Sequence, residues 1–155
     1  MFDKKGFFKF HRNGLLIVLL VCLTGVFPVF SLTDSLAHHA FVASKYNHNI
    51  NRNDYVLFKA KLPGETTQKQ LLKQVVGVPG DTIAIKNGQC FINEHPVGTI
   101  QLNTLSGQPL NPLQPQTIPE GKLFVAGNHE RSFDSRYQEL GLINIQEVSK
   151  AYAIF

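Results

Sequence analysis

Apolar positions fall along this chain in two patterns. An unbroken block, Gly14–Phe30, reads GLLIVLLVCLTGVFPVF and holds no charged side chain. Farther on, short runs of Val, Ile, Leu and Phe alternate with polar residues and stop at turn-forming ones. The block predicts a membrane-spanning helix, because its seventeen residues reach the lower end of what crosses the hydrocarbon layer. Ser31 and Leu32 extend it without charge, and Pro28 stands near its exit, where an interrupted helix costs little. A cleaved leader and a buried helix are the rival readings. Phe30 closing the block, with no small-x-small tripeptide after it, weighs against cleavage.

The alternating runs predict strands. Tyr55–Ala60 is one, and Leu71–Val78 is a second that opens onto the turn Pro79-Gly80-Asp81. Thr82–Ile85 and Gln89–Ile92 flank Asn87-Gly88, the signature of a tight hairpin. Leu123–Ala126 and Ser149–Ile154 complete the set. Residues 97–120, rich in Gly, Pro, Gln and Asn, read as an irregular connection rather than a second domain. The fold expected is mostly β: an N-terminal transmembrane helix followed by a compact β-rich domain. Its parts are a basic tail (1–13), an anchor (14–31) and one exported domain (32–155), long enough for a core of its own.

Charge sharpens the direction of the anchor. The formal net charge is +4, and +3 of it sits in residues 1–12, where Lys4, Lys5, Lys9 and Arg12 outnumber Asp3. That distribution predicts a cytoplasmic N-terminus, a single pass through the bacterial inner membrane and a domain outside the cytoplasm. Residues 32–155 are nearly neutral, so a nucleic-acid surface is not demanded. Cys22 and Cys90 fall on different sides of the anchor boundary and are not expected to pair. His38 and His39 lack any CxxC or HExxH companion, so no metal site is expected.

Chemistry concentrates in two motifs, KQVVGVPGD (73–81) and GNHERSFDSRY (127–137), with Ser35 upstream in SLTDSLAHHAF. Flanking Leu and Val would desolvate the Lys73 amine, favour its neutral form and let it act as a general base toward Ser35. Ser132 is suited to orient that amine, and Asp134 to pair with Arg136 or hold a turn, so placing Lys73 without attacking substrate. Gly77, Pro79, Gly80 and Asp81 are structural turn residues first; the adjacency of His129 and Glu130 makes neither a metal site nor a triad, and His129 reads as a structural or surface group.

In the order TDSLAHHAF, RNDYVLF, KQVVGVPGD and GNHERSFDSRYQELG, the chain resembles the type I signal peptidase family, in particular the conjugative-transfer peptidases of the TraF type. The resemblance spans roughly residues 12–148. It implies a membrane-bound serine endopeptidase with a β-rich catalytic domain and a Ser–Lys dyad. By its pattern Ser35 matches the nucleophile, Lys73 the general base, Ser132 the group that positions the base, and Asp134 with Arg136 a structural pair. Thr33 occupies the position of a small polar oxyanion helper. Ala37 and His39 stand where the TraF-type pattern has proline and glycine, and Asn128 where many bacterial relatives have aspartate. No cofactor is implied. The partners implied are an exported precursor, pilin-like by the TraF resemblance, together with membrane lipid and components of a conjugation apparatus. General secretory processing and a noncatalytic membrane assembly role are the alternatives.

Overall fold

Eleven strands in two sheets make up the regular structure of the computed structural model, which describes residues 25–30, 40–44 and 49–154. In chain order they are β1 (Val26–Phe30), β2 (Ala40–Ser44), β3 (Tyr55–Lys61), β4 (Gln68–Gly77), β5 (Thr82–Lys86), β6 (Gln89–Ile92), β7 (His95–Thr99), β8 (Gln116–Thr117), β9 (Lys122–Ala126), β10 (Ile143–Asn144) and β11 (Ser149–Ala153). The larger sheet runs β1-β2-β11-β3-β4-β9-β10 and the smaller runs β7-β6-β5-β8. Every hydrogen-bonded pair is antiparallel.

Alternation along the strands sorts the core. Val56 and Phe58 of β3, Val75 of β4 and Leu123 and Val125 of β9 share one buried cluster. The intervening residues of β9, Phe124 and Ala126, face the other way and pack with Ile83, Cys90 and Ile92 of the smaller sheet. Strand β9 is therefore covered on both faces, which is why it reads as a continuous apolar run. The Asn87-Gly88 hairpin forms as its composition predicts. Both residues have positive φ (50° and 74°), and Lys86 pairs with Gln89 across the turn.

Strand β4 carries a bulge. Val75 pairs with Val125 and Gly77 with Phe124, so Val76 is the extra residue. Gly77 is needed there for space. A Cβ on it would lie 2.6 Å from Ile118 Cδ1 and 2.9 Å from Phe124 Cβ.

The anchor expectation is corrected by the structure. Val26–Phe30, the last part of the apolar block, is strand β1 and pairs antiparallel with β2 from Val26↔Ser44 to Phe30↔Ala40. Gly25, at φ 62°, supplies the left-handed turn before it. Phe27 and Val29 pack against Phe41, Ala43, Leu57 and Ala151, while Pro28 is exposed on an edge strand, where its missing N–H is tolerated. A short run of Val and Phe around a proline satisfies a strand as well as a helix, and hydropathy alone does not separate them. The rest of the block, 14–24, lies outside the described residues. Among the described residues no helix is long and apolar enough to cross a membrane, and the single helical turn is the 3-10 segment Ile145–Glu147. The single-pass topology, the periplasmic placement and the lipid partner expected from the block lose their premise. The mostly-β architecture stands.

Candidate active site

Strand pairing decides where Lys73 points. It lies opposite Val56 of β3, and one step before the Gln74–Ala126 pair, which sets it beside Gly127 at the end of β9. It shares a face with Val56, Val75 and Val125, all fully buried, and is itself only 6% exposed. Its Nζ donates to Ser132 Oγ at 2.6 Å. Burial pushes the amine below the ordinary lysine range. Asp134 opposes that shift and Arg136 adds to it, and burial prevails.

Gly127 makes the meeting possible. A Cβ there would lie 2.3 Å from Ser132 Oγ and 3.1 Å from Lys73 Nζ. Glycine stands at this position for room, since the amine and the hydroxyl close over its bare backbone.

The loop that delivers Ser132 is tied down from within. Arg136 Nε donates to Asp134 Oδ1 (2.8 Å) and its Nη2 to Asp134 Oδ2 (3.0 Å), a two-pronged pair with both residues almost wholly buried. The remaining guanidinium protons go to the carbonyls of Thr99 (2.8 Å), Glu130 (3.2 Å) and Ser132 (2.9 Å). Burial by itself would lower the Arg136 pKa, but Asp134 outweighs it and raises it. Gly127 N donates to Asp134 Oδ2 (3.1 Å), so one carboxylate fixes both ends of the loop. Ser135 bonds it to β9 twice: its N donates to Val125 O (3.0 Å) and its Oγ accepts from Val125 N (3.1 Å).

The other end of β4 is held by the turn 78–81. Gly80 has φ 90°, and its N donates to Ile118 O (2.9 Å). Asp81 accepts from Val78 N (2.7 Å) and Asn93 Nδ2 (2.6 Å), and it pairs with Arg52. Burial would raise its pKa. The hydrogen bonds from Val78 and Asn93, with Arg52, outweigh burial and hold it below the usual carboxylate range.

The structure thus brings together Lys73, Ser132, Asp134 and Arg136, which are scattered over two motifs in sequence. It sets Gly77, Pro79, Gly80 and Asp81 at the exit of the lysine's strand. Ser35 and Thr33, with Ala37 and His39, lie outside the described residues. His129 and Glu130 are exposed, and His129 Nδ1 accepts from Arg131 N (3.1 Å). Cys90 is a free thiol, wholly buried. Burial outweighs the opposing pull of Arg136, Asp134 adds to the shift, and the pKa is pushed up to about 12, which leaves the thiol an inert core residue. Sequence reasoning gave no role to Gly127, Ser135 or Arg52. The first two stand inside the 127–137 motif, and a motif so dense signals that its small residues are also constrained.

Beside Lys73 the sheet is open. Strand β3 pairs with β4 from Gln68 to Gln74, whereas β9 pairs only with Gln74 to Gly77. Among the described residues no strand covers the other edge of Gln68–Lys73. Its backbone groups can take an added extended chain that ends at the amine.

The chain has known relatives. Residues 9–154 match the family described as signal peptidase, peptidase S26. The chain is 31% identical to signal peptidase I V of Bacillus subtilis (strain 168) over 118 residues, covering 62% of this chain and 63% of that protein. It is 33% identical to a signal peptidase I P of Bacillus subtilis subsp. natto over 116 residues, covering 67% of this chain and 58% of that protein. The chain therefore spans about three fifths of the length of these curated relatives. A crystal structure of a signal peptidase I from Enterococcus faecalis V583 is 26% identical, covers 64% of this chain and 93% of that one, and has a TM-score of 0.39. A family match over nearly the whole chain, with the buried lysine and its serine inside the matched stretch, settles the affiliation: this chain belongs to the signal peptidase, peptidase S26 family.

Proposed function

We propose that the chain is a signal peptidase that cuts the leader from exported precursor proteins, with Ser35 as nucleophile and Lys73 as general base. The observation that carries this reading is a buried lysine amine with a lowered pKa, hydrogen-bonded to Ser132 at the end of an open strand edge. An amine in that setting exists unprotonated at a pH where an exposed lysine does not, so it can accept a hydroxyl proton.

The precursor lies extended along the free edge of β4. Neutral Lys73 takes the Ser35 proton as Ser35 Oγ attacks the scissile carbonyl. The Ser35 backbone amide, helped by Thr33, donates to the oxyanion. The lysine returns its proton to the departing amine. A water then gives a proton to Lys73 and attacks the acyl-enzyme carbonyl. As the tetrahedral species collapses, Lys73 passes that proton to Ser35 Oγ, releasing the new carboxyl terminus and restoring the serine and the neutral amine. Ser132 and the Asp134–Arg136 pair hold the lysine in place throughout.

The relatives named above are signal peptidase I proteins, which favours general processing of exported precursors over the narrower pilin or conjugation role. Co-expression with secretory and pilin precursors, with product termini mapped by mass spectrometry, tests both. A cut after a small residue that disappears in Ser35→Ala and in Lys73→Ala supports the dyad. Persistent cutting by either folded variant overturns that residue's assignment, and a cut confined to pilin precursors reverses the choice of substrate.

A further inference from the structure

The bulge in β4 lies only three positions beyond Lys73, and a strand that slips by one residue turns every side chain to the opposite face. Something must hold the extra residue, Val76. Backbone bonds secure its neighbour Val75, whose N donates to Asp54 O (2.8 Å) and whose O accepts from Asn53 N (2.8 Å). Ladder pairing with β9 skips Val76 itself. Its carbonyl is taken instead by a side chain from outside the strand, because Arg52 Nη1 donates to Val76 O. The same guanidinium reaches both oxygens of Asp81, with Nη2 at 2.8 Å from Oδ1 and 2.6 Å from Oδ2. Asp81 in turn holds Val78 N, past the bulge, and Asn93 in the turn between β6 and β7.

Packing leaves space on this side. A depression of about 510 Å³ borders the clasp, lined by Arg52, Val76, Ile92, Asn93, Ala126 and Gly127 among others. The bulge therefore has room to relax if the clasp is cut, and Gly127 connects that room to the lysine. The Arg52 side chain is 40% exposed, so as an ion pair it adds little to global stability. Its role is local.

We propose that Arg52 is a positioning residue for Lys73. By tying the Val76 carbonyl to Asp81, it holds the register that sets Lys73 beside Gly127 and against Ser132. The link to catalysis rests on the function proposed above, and the positional part stands without it.

The test is the titration of the Lys73 amine in the intact chain, read by NMR of nitrogen-labelled lysine side chains and assigned with Lys73→Arg. The charged groups acting on that amine are Asp134 and Arg136, from the loop after β9; its strand neighbours Val56 and Gly127 carry none. In Arg52→Met, water reaches the amine and its titration rises toward the ordinary lysine range, leaving about tenfold less free amine at pH values below both titrations. Cleavage falls in proportion through kcat, with KM unchanged. Arg52→Lys keeps the charge but cannot span both acceptors, so its titration lies between the two. Should Arg52→Met fail to fold, Arg52→Lys decides by itself. Folded variants in which Lys73 titrates as in the parent chain overturn the proposal. If the parent chain cuts no precursor, the proposed function fails while the titration still decides the clasp.

Discussion

Lys73 and Ser132, fifty-nine residues apart in sequence, meet at 2.6 Å over the bare backbone of Gly127. The contact needs three conditions at once: a lysine on the buried face of β4, a loop that returns Ser132 to the end of β9, and no side chain between them. Each condition gives the contact a point at which it can be broken.

Gly127→Ala places a methyl group in space held by Ser132 Oγ and Lys73 Nζ. Overpacking of this kind costs about 1–3 kcal/mol. The larger effect falls on geometry, since moving a reacting group by about 1 Å can cost about 100-fold in rate. We expect a folded protein with a modestly lowered melting temperature and about 100-fold less cleavage. Normal cleavage by this variant would mean that the Lys73–Ser132 contact is not what the reaction uses.

The lowered pKa of Lys73 fixes the sign of two pH effects. Activity that needs the free amine rises as pH passes the folded-state pKa, so the acidic limb of kcat lies below the ordinary lysine range. Stability follows the same group. Between its folded and unfolded pKa values the unfolded chain binds more protons, so this contribution to stability rises with pH. Chemical denaturation of the parent and of Lys73→Met across pH should show the parent gaining on the variant as pH climbs toward 10.5. A constant difference would indicate an amine that titrates normally.

Ser132→Ala removes the acceptor that holds the amine. A supporting partner of this kind is worth about 10–100-fold in activity. The loss should appear in kcat, with KM nearly constant, because the open edge of Gln68–Lys73 is untouched. Steady-state kinetics on a precursor peptide separates the two parameters. A change confined to KM would move Ser132 from the lysine to the substrate.

Asp134→Asn leaves the Arg136 charge buried without its partner. Breaking such a pair from one side costs about 3–5 kcal/mol, measurable by denaturant melting. Asp134 also raises the Lys73 pKa, so in any fraction that remains folded the acidic limb of activity should move to lower pH. A shift to higher pH would show that the loop, rather than the charge, dominates the lysine's setting.

Comparison of sequence with structure separates local from long-range causes. Turn chemistry was legible: Asn87-Gly88 makes the hairpin, and Pro79-Gly80-Asp81 closes β4. Alternation predicted β3 to β6, β9 and β11 within a few residues. Strands β2, β7, β8 and β10 escaped notice, since β8 and β10 span two residues each, β7 carries Pro96 and Gly98, and β2 holds only Phe41 and Val42 between alanines. The apolar block misled, because Val26–Phe30 is hydrophobic for the sake of β2 and the cluster beneath it.

What the sequence determined by itself is the inventory: a lysine in an apolar run, two serines, an acid–arginine pair, and the motif order that implied the family. These depend on residue type and near neighbours. What only the tertiary structure decided is the chemistry those residues can do. The bulge at Val76, the face Lys73 takes, the emptiness at Gly127 and the double cover over β9 arise from strands far apart in the chain. A lysine becomes a base through the removal of water from around it, and that is a property of packing in space.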